Sequence, residues 1–116
     1  METQITEVNR IIDTYLNFEF LSAIDEGQYK ETVIEFFKNM DQLKARGLDK
    51  NDEFIRFINE IYYDRSEKFE EHPVYEERIQ TVFSEITEYC SPPYFWTTPL
   101  EVYLKNKWGL LVNDDI

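Results

Sequence analysis

The chain has 116 residues, 42% of them hydrophobic and 16% aromatic, with three glycines and four prolines. That length predicts one domain with its own core, and that composition excludes wholesale disorder and a loop-rich or many-turned β architecture. Twenty-four acids against twelve bases give a formal charge of −12, which disfavours direct contact with nucleic acid or an anionic membrane and favours a basic protein partner.

The charge is uneven. Residues 49–88 hold twelve acids and five bases, a net −7, so the middle of the chain supplies most of the excess. One cysteine, Cys90, leaves no internal disulfide and fits a reducing compartment. Met1, Glu2, Thr3 and Gln4 offer neither the basic nor the apolar region of a secretory signal. No apolar run approaches the ~20 residues of a membrane span. These features together predict a cytoplasmic protein.

The first helical stripe runs through Ile5, Val8, Ile12, Tyr15 and Leu16. Continuing its phase would bury Glu19 and expose Leu21, so a break is expected near Asn17. Phe18, Phe20, Leu21 and Ile24 then form a short second piece or an irregular apolar link. Asp25, Glu26 and Gly27 read as a turn. A strong helix follows with Tyr29, Val33, Phe36, Phe37 and Met40 inward, stopping at Gly47 after Lys44 and Arg46, cations suited to a helix C-terminus.

The next helix opens with acids in its first turn and spans Asp52–Glu70, with Phe54, Ile55, Ile58, Ile61, Tyr62 and Phe69 along one side. His72-Pro73 ends it and starts another, because proline suits a first helical position. That helix has the cleanest stripe, Tyr75, Ile79, Val82, Phe83, Ile86, Tyr89 and Cys90, and is expected to stop at Ser91-Pro92-Pro93. Tyr94-Phe95-Trp96 reads as an aromatic plug over an open end of the core, or else as an exposed anchor patch. Thr98-Pro99-Leu100-Glu101 reads as a capping box for a last helix through Trp108 to Gly109. Leu110, Leu111 and Val112 are then expected to pack back before the acidic Asp114 and Asp115. The predicted fold is all-α, a bundle or orthogonal array of about five helices.

Chemistry is scarce along this chain. His72 stands alone at a helix junction, where a capping or surface role suits it better than general-base work. Cys90 closes an apolar face and reads as an inert thiol. Asp49, Asn51, Glu53 and Glu60 fall at the first, third, fifth and twelfth positions of a calcium loop, but Phe54 occupies the place where that loop needs glycine. Zinc would lack thiol and imidazole ligands, and the scattered Gly27, Gly47 and Gly109 build no phosphate loop. No catalytic residue, metal ligand or cofactor is expected.

What stands out is Tyr63. At about 100° per residue it lies roughly opposite the apolar stripe of its helix, beside Asp52, Asn59, Glu60, Glu67 and Glu70. A large aromatic among carboxylates has no packing reason to face outward, and tyrosine is enriched at binding hot spots. The partner-binding set predicted here is Tyr63 with Asp52, Asn59, Glu60, Asp64, Glu67 and Glu70. An isolated exposed tyrosine is the competing reading.

The segment Ile61-Tyr62-Tyr63-Asp64, in an acidic helical chain, resembles bacterial toxin-immunity proteins, both the helical nuclease-colicin type and the contact-dependent-inhibition type. The resemblance implies neutralisation of a cognate toxin, often a basic nuclease, by covering its functional surface, with Tyr62 and Tyr63 as the matching positions. Helical phase turns Tyr62 inward and leaves Tyr63 as the contact. Three other functions are open: a nucleic-acid mimic that presents carboxylates to a DNA- or RNA-binding cleft, a helical enzyme using carboxylates, and a scaffold or regulatory subunit whose acidity is incidental.

Overall fold

The structure, a computed structural model, describes residues 2–109, with side chains from residue 4 onward. Six helical segments follow one another: α1 (Glu2–Tyr15), the single turn α2 (Phe18–Leu21), α3 (Glu26–Ala45), α4 (Asp52–Lys68), α5 (Pro73–Thr87) and α6 (Leu100–Trp108). There is no strand among the described residues, so the all-α expectation of about five substantial helices holds. The predicted packing of Leu110–Val112 and the acidic tail lie outside the described residues.

Local chemistry sets the boundaries. Asn17 breaks the first stripe as expected, its side-chain oxygen accepting from the Phe20 backbone N–H to cap α2. Asp25 is a helix cap rather than part of a free turn: it and Gln28 form a reciprocal capping box, so α3 begins at once with Glu26. Gly47, at φ +107°, closes α3, and Leu48 N–H reaches back to the Leu43 carbonyl at 3.0 Å. Asn51 caps α4 through the Phe54 N–H. Pro99 holds the cap position of α6 without any side-chain cap bond, so the expected Thr98 capping box does not form.

Helices α1 and α6 pack against α3, and α5 packs against α4 and α2. One contiguous core joins them, including Val33, Phe36, Phe37, Met40, Ile58, Ile79, Val82, Phe83 and Ile86, all buried as predicted; Ile61 is half-buried. Burying each such side chain stabilises the fold by about 1.5–3 kcal/mol. Phe20 in the short second piece is exposed, because a single turn offers one buried face and Leu21 fills it.

Two arginines tie down the chain where α1 and α2 end. Tyr75 donates to the Leu16 carbonyl at 2.9 Å, and Arg65 donates to the Tyr75 oxygen at 3.1 Å while pairing with Asp13 at 2.5 Å. Arg78 donates to the Leu21 and Ile24 carbonyls at 2.7 and 2.8 Å and stacks over the Tyr29 ring. Carbonyls left over where short helices end thus receive charged donors.

Of the two readings of Tyr94-Phe95-Trp96, the plug is the one the fold adopts. Phe95 is fully buried against Phe37 and Tyr103, and Trp96 donates through Nε1 to the Ile86 carbonyl at 2.8 Å. No helix among the described residues is long and apolar enough to cross a membrane.

Candidate interaction surface

Helix α4 buries Phe54 and Ile58 and turns its other side outward. Tyr63 sits there with 67% of its surface exposed. Asp52, Glu60, Asp64 and Glu67 on the helix are exposed as well, and Asn59 is half-buried. Glu70 is exposed but stands beyond the last helical residue, Lys68, so the expected helix to Glu70 is two residues too long. The C-cap Phe69 leaves the helix to stack on Phe18 at 4.3 Å, which draws the chain out of helical phase before Glu70.

Electrostatics separate this face from an ordinary solvated one. Among the described residues, Asp52, Glu53, Glu60, Asp64, Glu67, Glu70 and Glu71 make no ion pair. Meanwhile Lys50, Arg65, Arg78 and Lys107 are taken up by Glu88, Asp13, Glu26 and Glu85. The fold therefore draws cations into its own contacts and leaves carboxylates outside. Arg56, two turns before Tyr63 on the same side, and Lys68, one turn after Asp64, are exposed cations that interrupt this field.

The predicted residues divide between two concavities rather than forming one patch. Glu60 and Asp64 line a cleft of about 680 Å³ between α1, α2 and α4, together with Phe57, Ile61, Arg65 and Lys68. Asn59 and Tyr63 line a smaller groove of about 190 Å³ between α4 and α5. Asp52, Glu67 and Glu70 line neither. Tyr62 is half-buried, with its ring edge-on to Phe83 at 5.6 Å, in agreement with its inward phase.

A second tyrosine on the same groove escapes sequence reasoning. Tyr89 continues the α5 stripe on paper, yet it is 81% exposed. Helix α5 ends at Thr87, short of the expected Ser91 stop, because Glu88 adopts the left-handed conformation at φ +65°. The Tyr89 N–H then bonds back to the Ser84 carbonyl at 2.8 Å, a Schellman-type ending. Glycine usually marks such an ending; here glutamate does, held by Lys50 at 3.1 Å, so nothing in the sequence announces it.

Candidate chemistry is equally well located. His72 is exposed at the cap position of α5 without a side-chain cap bond, its ring edge-on to Phe18 at 4.6 Å. Cys90 is partly exposed just past the helix rather than on its apolar face. Burial and then the Glu85 charge push its thiol up to about 11, which leaves the thiolate scarce near neutrality. Buried Glu85 accepts from Tyr103 at 2.7 Å and from Lys107 at 3.2 Å, so its charge is fully partnered. Among the described residues, no group of three or more His, Cys, Asp or Glu stands where it could hold a metal ion. The chain matches no family model, no curated protein and no solved structure.

Proposed function

We propose that this chain is a stoichiometric inhibitor that binds a basic bacterial toxin, most simply a nuclease, and neutralises it by covering its functional surface. One observation carries the reading: Tyr63 stands 67% exposed on a helix whose neighbouring carboxylates have no ion-pair partner among the described residues. Unneutralised carboxylates steer a cationic protein into encounter, and a rigid exposed aromatic then supplies desolvated contact area at low entropic cost. The likeness of Ile61-Tyr62-Tyr63-Asp64 to immunity proteins supports the same reading, with action in the cytoplasm and inhibition by occlusion rather than by chemistry.

The test is co-expression in a bacterial host with the toxin domain encoded beside this chain. The expected result is restored growth and an equimolar complex, with both lost or weakened in Tyr63→Ala. Absence of any complex would overturn the proposal. Equal binding to several unrelated DNA-binding proteins would replace it with nucleic-acid mimicry, and turnover of a substrate by the purified chain would replace it with an enzyme.

A further inference from the structure

The groove between α4 and α5 has a chemistry distinct from the acidic face around it. Two exposed tyrosines, Tyr63 and Tyr89, belong to opposite sides of it, one on α4 and one just past the end of α5. Tyr62 and Phe83, in edge-to-face contact at 5.6 Å, line it between them. Its polar lining includes the side-chain amides of Asn59 and Gln80, neither engaged in a hydrogen bond among the described residues. Among the described residues, no charged side chain lines it. The wall at Tyr89 is set by the left-handed turn at Glu88, an uncommon conformation for a residue with a Cβ, held by the ion pair with Lys50.

We propose that this groove receives an arginine side chain of the basic partner, its guanidinium lying against the Tyr63 and Tyr89 rings and donating to the amide oxygens of Asn59 and Gln80. The proposal rests on the inhibitor reading above and adds a second anchor, Tyr89, and a specificity for arginine. Flat π faces and neutral acceptors suit a planar, weakly hydrated fork of N–H donors. A compact, strongly hydrated ammonium would need a carboxylate in the groove, and none of the described residues supplies one. The carboxylates that flank the groove provide the field that draws a cationic chain in, while the net charge of −12 turns away a second copy of this chain.

The experiment is a titration of the full chain, isotope-labelled at its tyrosine and phenylalanine rings, with acetyl-Gly-Arg-Gly-amide and separately with acetyl-Gly-Lys-Gly-amide, followed by aromatic NMR. With the arginine peptide, the Tyr63 and Tyr89 ring signals should move together along one saturable curve. The lysine peptide should bind roughly fivefold more weakly. Tyr63→Ala and Tyr89→Ala should each abolish the shift of the remaining ring; both side chains are exposed, so both variants should fold. Equal response to the two peptides, or shifts confined to the cleft around Phe57 and Phe69, would overturn the groove assignment. A toxin neutralised with full dependence on Tyr63 and none on Tyr89 would overturn it too, while leaving the inhibitor reading intact. Arginine binding in a chain that neutralises nothing would uphold the groove and overturn the inhibitor reading.

Discussion

Tyr63 is the residue on which the functional reading turns, and its role is separable from stability. Its ring is 67% exposed, and its packing neighbour is Tyr62 at 5.6 Å. Truncation to alanine therefore removes almost nothing from the core. In a complex the same ring would be desolvated, so Tyr63→Ala should cost about 2 kcal/mol of affinity, expressed chiefly as faster dissociation. Surface-plasmon kinetics with the toxin partner proposed above, alongside a thermal melt, check this: dissociation should quicken while the melting temperature stays put. Tyr62→Ala should do the reverse, because Tyr62 packs against Phe83 and sits half-buried.

At the scale of the element, α4 has one inward side and two outward flanks. Its inward residues tie it to α5, and Arg65 ties it to α1 through Asp13. One flank carries Glu60 and Asp64 toward the α1–α2 cleft, and the other carries Asn59 and Tyr63 toward α5. Charge reversal reads out which flank meets the partner. Glu67→Lys and Glu60→Lys should each slow association several-fold at low salt, with the difference shrinking as ionic strength rises. If the partner straddles the Tyr63 groove, Glu60→Lys should act on association alone. Should it fill the larger cleft, Glu60→Lys would also speed dissociation. Stopped-flow association at two salt concentrations distinguishes these outcomes.

The whole molecule depends on a core dense in aromatic rings. Phe37 is fully buried and meets Phe36, Phe95, Tyr103 and Trp108 at centroid distances of 5.0 to 5.9 Å, joining α3, α6 and the aromatic plug. Phe37→Ala should cost roughly 3–5 kcal/mol in urea denaturation. The buried tyrosines also set an alkaline limit. Burial pushes Tyr29 from the ordinary 10 up to about 12, and Tyr75 and Tyr103 are raised for the same reason. Each neutral phenol is favoured in the folded state. The stability they contribute is thus intact below pH 10 and lost as pH rises from 10 towards 12, where the unfolded chain sheds protons that the folded chain keeps. Urea midpoints measured across that window should fall steadily, and Tyr29→Phe should flatten the fall.

Sequence by itself determined the helices, the breaks at Asn17 and Gly47, the restart at Pro73 and the inward stripe of α3, because helical period and capping chemistry are local properties read within a few residues. It also determined that Tyr63 faces outward, since phase along one helix suffices for that. Tertiary structure decided the rest. Tyr89 faces solvent because a glutamate, steadied by a lysine thirty-eight positions earlier, takes a left-handed conformation that no local signal marks. Glu60 and Tyr63, three residues apart, belong to different concavities because one flank of α4 faces the cleft toward α1 and α2 while α5 packs along the other. The acidity of the outer face is likewise a product of folding: the sequence counts its charges, but only the packed helices take up Arg65, Arg78, Lys50 and Lys107 in internal pairs and leave the carboxylates of α4 without ion-pair partners among the described residues.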